Sequence, residues 1–71
     1  MSIVEAFPGN LKKERVKKAL SQEALAMKAG LSVSYISMLE RGQRSPPLDT
    51  LESLSNALDV TAAQLLKKGR E

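Results

Sequence analysis

The chain has 71 residues, of which 42% are hydrophobic and 27% charged, so it is long enough for one small domain with its own core. It contains neither cysteine nor histidine, which excludes disulfides, a cysteine–histidine zinc site and most acid–base or nucleophilic catalysis. We therefore expect a single domain over residues 1–71 that is not an enzyme and needs neither a cofactor nor a metal.

The net charge of +3 is unevenly distributed along the chain. Residues 1–45 carry eight basic and four acidic side chains, a net charge of +4, whereas residues 46–71 carry three basic and four acidic side chains, a net charge of −1. A basic half favours a polyanion as partner because binding releases counterions from it. A solvated lysine face would produce the same composition.

Neither a targeting segment nor a membrane segment is predicted. The N-terminal run is too short for a signal peptide and carries Glu5, and no apolar run approaches the length of a membrane-spanning helix. The sequence therefore predicts a cytoplasmic location, without a membrane or small-molecule partner.

The first helix is predicted to follow a short N-terminal arm. Proline suits the first position of a helix and asparagine suits an N-cap, so this helix begins at Pro8 or Asn10 and ends near Ala19. Its spacing predicts that Leu11, Val16 and Ala19 face the core.

Residues 20–42 contain two similar helical patterns, LSQEAL and LSVSYI. In each, a serine follows an aliphatic residue, and a second aliphatic residue lies four positions after the serine. Ser21 and Ser32 can therefore accept hydrogen bonds from the first turn as N-caps, while each aliphatic pair forms a hydrophobic staple.

Both patterns end at a glycine, Gly30 and Gly42, which can adopt the left-handed conformation after a helix. Helices over residues 22–29 and 33–41 are thus joined by a turn of three residues. This arrangement predicts a helix-turn-helix over residues 21–41, whose second helix can enter a DNA major groove.

Glu40 falls on the inward side of this second helix, together with Ile36 and Leu39. A half-buried carboxylate is costly without a partner, and Arg15 is the natural candidate because its guanidinium can hold a carboxylate with two hydrogen bonds. A catalytic Glu40 would lack a partner base.

The fourth helix follows a loop that Pro46 and Pro47 stiffen, and it runs to about Leu58. Four leucines at helical spacing mark its apolar face: Leu48, Leu51, Leu54 and Leu58.

A fifth helix is predicted from Ala62 to Lys68, ending at Gly69. Thr61 and Gln64 have the spacing of a capping box at its start.

Three runs together resemble the Cro/phage-repressor helix-turn-helix family (XRE-like), and within it the small controller proteins of restriction–modification systems. They are Ser21-Gln22-Glu23-x-Leu25-Ala26, Gly30-Leu31-Ser32-x-x-Tyr35-Ile36-Ser37 and Glu40-Arg41-Gly42-x-Arg44-x-Pro46. The resemblance covers roughly residues 7–67. It implies an all-α, five-helix lambda-repressor-like domain that dimerises through its last helix, and a pair between Glu40 and Arg15. Where this chain has Pro47, most members carry a capping serine or threonine.

Several residues are expected to contact DNA. Gln22, which matches a phosphate-binding residue of the family, Arg41 and Arg44 are assigned to phosphates, whereas Val33, Ser34 and Ser37 are assigned to base edges. The full set of candidates is Gln22, Ser32, Val33, Ser34, Tyr35, Ser37, Arg41 and Arg44.

The second helix of the helix-turn-helix, residues 33–41, is here called the recognition helix. Its outward side chains have little capacity to distinguish one base from another. Its serines discriminate poorly between bases, and Val33 or Met38 could only pack on a thymine methyl group. Met38 could equally serve local packing or a subunit contact. Specificity is then expected to depend on DNA shape or on arginines beyond the helix.

The sequence predicts a sequence-specific, DNA-binding transcriptional regulator that binds an operator as a homodimer. Leu65 and Leu66 are adjacent, about 100° apart on the last helix, so one of them is expected to contact the partner. Alternatively, both close the monomer core. The alternative function is a protein-interaction module, such as an antitoxin or adaptor with the same fold.

Overall fold

The computed structural model describes residues 2–68, which form five α-helices and no strand. The helices are α1 (Ile3–Lys17), α2 (Gln22–Ala29), α3 (Val33–Glu40), α4 (Leu48–Leu58) and α5 (Ala62–Leu66). The predicted all-α, five-helix architecture is confirmed. Within this part of the chain, no helix is long and apolar enough to cross a membrane.

The start of α1 was predicted wrongly, since the helix begins at Ile3 and residues 3–7 are not an arm. Ser2 and Glu5 form a capping box in which the Ser2 side chain accepts from the Glu5 N–H. Pro8 therefore lies inside the helix, where it removes a backbone donor. Burial of Phe7, which is 2% exposed, offsets much of that cost.

Asn10 is not an N-cap but a link between α1 and the end of α5. Its Nδ2 donates to the backbone oxygens of Leu65, at 3.0 Å, and Lys67, at 2.7 Å. Leu65 lies in the last turn of α5 and Lys67 directly after it, where carbonyl groups need donor partners from outside the helix. Asn10 thus holds the end of α5 against α1.

The buried face of α1 also differs from the prediction. Phe7, Leu11 and Glu14 are buried, whereas Val16 is 58% exposed. Ala19 lies beyond the helix with φ of 58°, in the left-handed region, so the predicted helical spacing no longer applies to it. Only Leu11 among the predicted inward residues is buried in the core.

The predicted caps of α2 and α3 are confirmed. Ser21 Oγ accepts from the Ala24 N–H at 2.9 Å, and Ser32 Oγ accepts from the Tyr35 N–H at 3.1 Å. Gly30 ends α2 with φ of 72°, which a residue without Cβ adopts at little cost. Local signals therefore place both helices, and α3 ends one residue before the predicted Arg41.

The core lies where α2, α3 and α4 meet α1 and α5. Its largest fully buried side chains are Leu11, Leu25, Ile36, Leu39, Leu54, Leu58 and Leu65. Pro47 precedes α4 without a side-chain cap, and Leu48 at the helix start is 83% exposed. The apolar stripe of α4 thus reaches the core only from Leu51 onward.

The capping box of Thr61 and Gln64 is present at the start of α5, as predicted. This helix ends at Leu66 rather than Lys68. The predicted stop at Gly69 lies outside the described residues.

Candidate nucleic-acid interface

The outer side of α3 and the start of α2 form one shallow concave surface, here called the recognition surface. It is lined by Gln22, Val33, Ser34, Ser37, Met38 and Arg41. Ile36 and Leu39, on the opposite side of α3, are fully buried. The packing of those two residues therefore turns a mainly polar helix face outward.

The two remaining candidates at the start of α3, its N-cap Ser32 and Tyr35, lie beside this surface. Ser32 is exposed but its Oγ is engaged as the N-cap, and Tyr35 is half-buried against the core. Val33, which is 39% exposed, is the most apolar group at the helix start. Tyr35 can thus offer DNA only the part of its ring and hydroxyl that the core leaves uncovered.

Arg41 is held along the recognition surface by two side chains. Its Nη1 donates to Ser37 Oγ at 2.7 Å, and its Nη2 donates to Gln43 Oε1 at 3.0 Å. Three of its five N–H groups take no part in these bonds. Gln43 was not singled out from the sequence, because a loop glutamine gives no signal of its own.

Arg44 lies elsewhere. It is exposed at the edge of an apolar groove between the start of α1, the start of α4 and the end of α5. The groove's apolar residues are Ile3, Val4, Phe7, Pro46, Leu48, Leu51 and Leu66. The two arginines assigned to phosphates therefore flank different surfaces.

The two adjacent leucines of α5 differ clearly in how deeply they are buried. Leu65 is 0% exposed in the monomer core, whereas Leu66 is only partly buried and lines the apolar groove. Leu65 therefore has no surface to offer a partner, and only Leu66 is available for the predicted interface.

The predicted pair between Glu40 and Arg15 is present. Arg15 Nε donates to Glu40 Oε2 at 2.6 Å and Nη2 donates to Oε1 at 3.1 Å, with side chains 11% and 4% exposed, respectively. These hydrogen bonds, helped by the charge of Glu40, raise the pKa of Arg15 although burial lowers it. Because the pKa of Arg15 is raised, its contribution to stability is fully present below the ordinary arginine pKa and is lost only as pH rises through the raised pKa.

The structure adds a third member to this pair. Gln22 Nε2 donates to Glu40 Oε1 at 3.0 Å, so Gln22 is half-buried rather than free in solvent. Arg15 Nη1 also donates to the Leu20 carbonyl at 2.8 Å, just before the cap of α2. We call Arg15, Glu40 and Gln22 the buried network. Sequence reasoning found its first two members but missed the contact of the third.

The described residues contain no group of three or more aspartate, glutamate, histidine or cysteine side chains that could hold a metal ion.

Comparison with known proteins identifies the class. The family model HTH_3, described as helix-turn-helix, matches residues 11–65, which is most of the chain and spans all of α2, α3 and α4. The chain therefore belongs to this helix-turn-helix family of DNA-binding transcriptional regulators. Its members bind DNA and are not enzymes.

Individual relatives include regulators and restriction–modification controller proteins. The chain is 40% identical over 66 residues to an uncharacterised HTH-type transcriptional regulator, y4dJ, of Sinorhizobium fredii, covering 93% of this chain and 86% of that protein. It is 38% identical to the control protein C.SmaI of Serratia marcescens, covering 96% of this chain and 81% of the relative.

Among solved structures, the controller protein C.AhdI of Aeromonas hydrophila is 40% identical and superimposes with a TM-score of 0.84, covering 87% of this chain and 94% of that one. The predicted resemblance to controller proteins is thus confirmed.

Proposed function

We propose that this regulator binds an operator through α3, placed in the major groove, and controls transcription by occupying that site. The observation that carries the proposal is the recognition surface, where a mainly polar helix face lies beside the start of α2. A helix presented in this way fits the width of the major groove, while the adjoining helix end can meet the phosphate backbone. A protein of this kind works where the DNA lies, so we place it in the cytoplasm.

Phosphate contacts are assigned to Gln22, Arg41 and Arg44. Gln22 is the first residue of α2, where backbone N–H groups also point outward and favour an anion. Arg41 borders the recognition surface, whereas Arg44 is exposed at the edge of the apolar groove and is assigned to the phosphate backbone farther beyond the end of α3. These contacts fix the position of the protein on DNA without reading its sequence.

Base contacts are assigned to the first half of α3. Val33 and Ser34 lie at the helix start, and Ser37 follows one turn later on the same surface. Ser32 and Tyr35 adjoin them and complete the set of contacting residues. Because none of these side chains forms two hydrogen bonds to one base, we expect modest discrimination at each base pair and a contribution from DNA shape.

The active species is proposed to be a homodimer. One helix of eight residues reads only a few base pairs, whereas a two-fold dimer presents two such helices about 34 Å apart, one turn of DNA. The apolar groove supplies the contact surface, since Leu66 and the 83% exposed Leu48 both line it. A second copy would cover apolar side chains that the monomer leaves in water.

The two kinds of contact predict different effects of substitution. Arg41→Ala is expected to weaken binding to all duplexes alike, because a phosphate contact is lost. The slope of log affinity against log salt concentration should become less steep by roughly one unit. Ser34→Ala is expected to change preference at one base pair of each half-site by about 1 kcal/mol, because it alters a base contact. Selection from random duplexes, followed by equilibrium binding at several salt concentrations, measures both effects.

The assignment of Arg41 to phosphate is contradicted if Arg41→Ala changes the selected sequence while the salt dependence stays intact. A chain that retains its fold but selects no duplex at low salt would instead support the protein-interaction module.

A further inference from the structure

The orientation of the Gln22 side chain is determined by its partner. An ionised carboxylate only accepts hydrogen bonds, so the atom of Gln22 that faces Glu40 Oε1 at 3.0 Å has to be the amide nitrogen. The reversed amide would bring its carbonyl oxygen against a carboxylate oxygen. Glu40 therefore decides which end of the amide faces inward.

Glu40 is itself fixed in place. Both of its oxygens accept from Arg15, and its side chain is 4% exposed. Arg15 is held in turn by the Leu20 carbonyl, one residue before the N-cap of α2. The acceptor for Gln22 is thus tied to the same short segment from which Gln22 projects, so the two cannot drift apart independently.

From this geometry we infer that Glu40 is a positioning residue for DNA binding, which acts through the amide of Gln22. One N–H of Nε2 is bound to Glu40, and the second is left for an anionic oxygen at the edge of the recognition surface. Without Glu40, no hydrogen bond fixes the amide, so its carbonyl oxygen can face the phosphate in place of its N–H. The inference rests on the proposed function, and it gives the buried network a role in binding as well as in stability.

The test measures how removal of the Arg15–Glu40 pair changes DNA affinity, once with Gln22 present and once with Gln22 replaced by alanine. Replacing Arg15 and Glu40 together by methionine removes the acceptor without leaving an unpaired buried charge, a change that proteins often tolerate. We expect this paired substitution to weaken operator binding about 3–10-fold when Gln22 is present, since the amide has to be ordered on binding. In a Gln22→Ala background the same pair should change affinity less than about twofold.

An equal loss in both backgrounds would overturn the inference, because Glu40 would then act only through the fold. If the wild-type chain binds no duplex at all, the proposed function fails, and this inference fails with it. All affinities are compared at a temperature at which circular dichroism shows each variant to be fully folded.

A measurement on the wild-type protein alone does not depend on any variant folding. In the free protein, the side-chain amide of Gln22 should be as rigid as the backbone by nuclear magnetic relaxation, with two well-dispersed proton signals. The exposed side-chain amide of Asn56 provides the internal comparison. A Gln22 amide as mobile as that of Asn56 would contradict the inference whether or not DNA binds.

Discussion

Glu40→Gln is expected to lower the free energy of unfolding by about 3 kcal/mol and the melting temperature by roughly 10–20 °C. The substitution keeps the size of the side chain but leaves the Arg15 guanidinium, 11% exposed, without its counter-charge. The new amide can accept hydrogen bonds only at its oxygen, whereas Glu40 accepts from Arg15 and Gln22 at both of its oxygens. For so small a domain, this loss is a large part of the total stability. Thermal and denaturant unfolding followed by circular dichroism measure it.

Glu14→Gln is the matched control, because Glu14 is the other buried glutamate of the described chain and is 6% exposed. Its basic partner, Lys17, lies 3.7 Å away and is largely in solvent, so the pair contributes little. We expect a change within about 1 kcal/mol. Equal effects at the two positions would show that the buried network has no special role in stability.

Leu66→Glu is expected to yield a folded monomer that binds the operator about 100-fold more weakly, or worse. A carboxylate in the apolar groove would lose water against the apolar side chains of the second copy at the proposed interface. Because Leu66 is only partly buried, the monomer itself can keep the new side chain in solvent. A monomer brings only one recognition helix to the operator. It therefore loses the gain in affinity that two linked binding sites provide. Sedimentation, circular dichroism and DNA binding have to be measured together.

Two controls define the interface. Val16→Glu adds the same charge at a 58% exposed apolar position outside the groove and should leave dimerisation and binding unchanged. Leu65→Glu should unfold the chain, since Leu65 is 0% exposed in the core. A Leu66→Glu protein that remains dimeric would place the interface on another surface.

The helix-turn-helix was predictable from sequence because its signals are local. The caps at Ser21 and Ser32 and the left-handed Gly30 all act within a few residues, and each is present as predicted. The start of α1 is harder to predict, because Pro8 and Asn10 suit a helix start as well as the capping box of Ser2 and Glu5 does. The link from Asn10 to α5 joins residues 55 apart in sequence and leaves no local pattern.

The site was predictable only where burial and charge left few choices. Glu40 pointed inward and needed a cation, Arg15 was the natural candidate because it can hold a carboxylate with two hydrogen bonds, and the family resemblance implied the same pair. The contacts of Gln22 with Glu40, and of Arg41 with Ser37, depend instead on side-chain rotamers. Rotamers follow from the packing of neighbouring helices, which periodicity does not specify.

The central claim, binding of operator DNA by a dimer, is tested most directly by the salt dependence of the wild-type chain's affinity for its selected duplex. A dimer with roughly six to eight phosphate contacts should give a plot of log affinity against log salt concentration with a slope of about −5 to −7. The measured stoichiometry of the complex should also be two chains per operator. A slope near zero, or no complex with any duplex at low salt, would contradict the account.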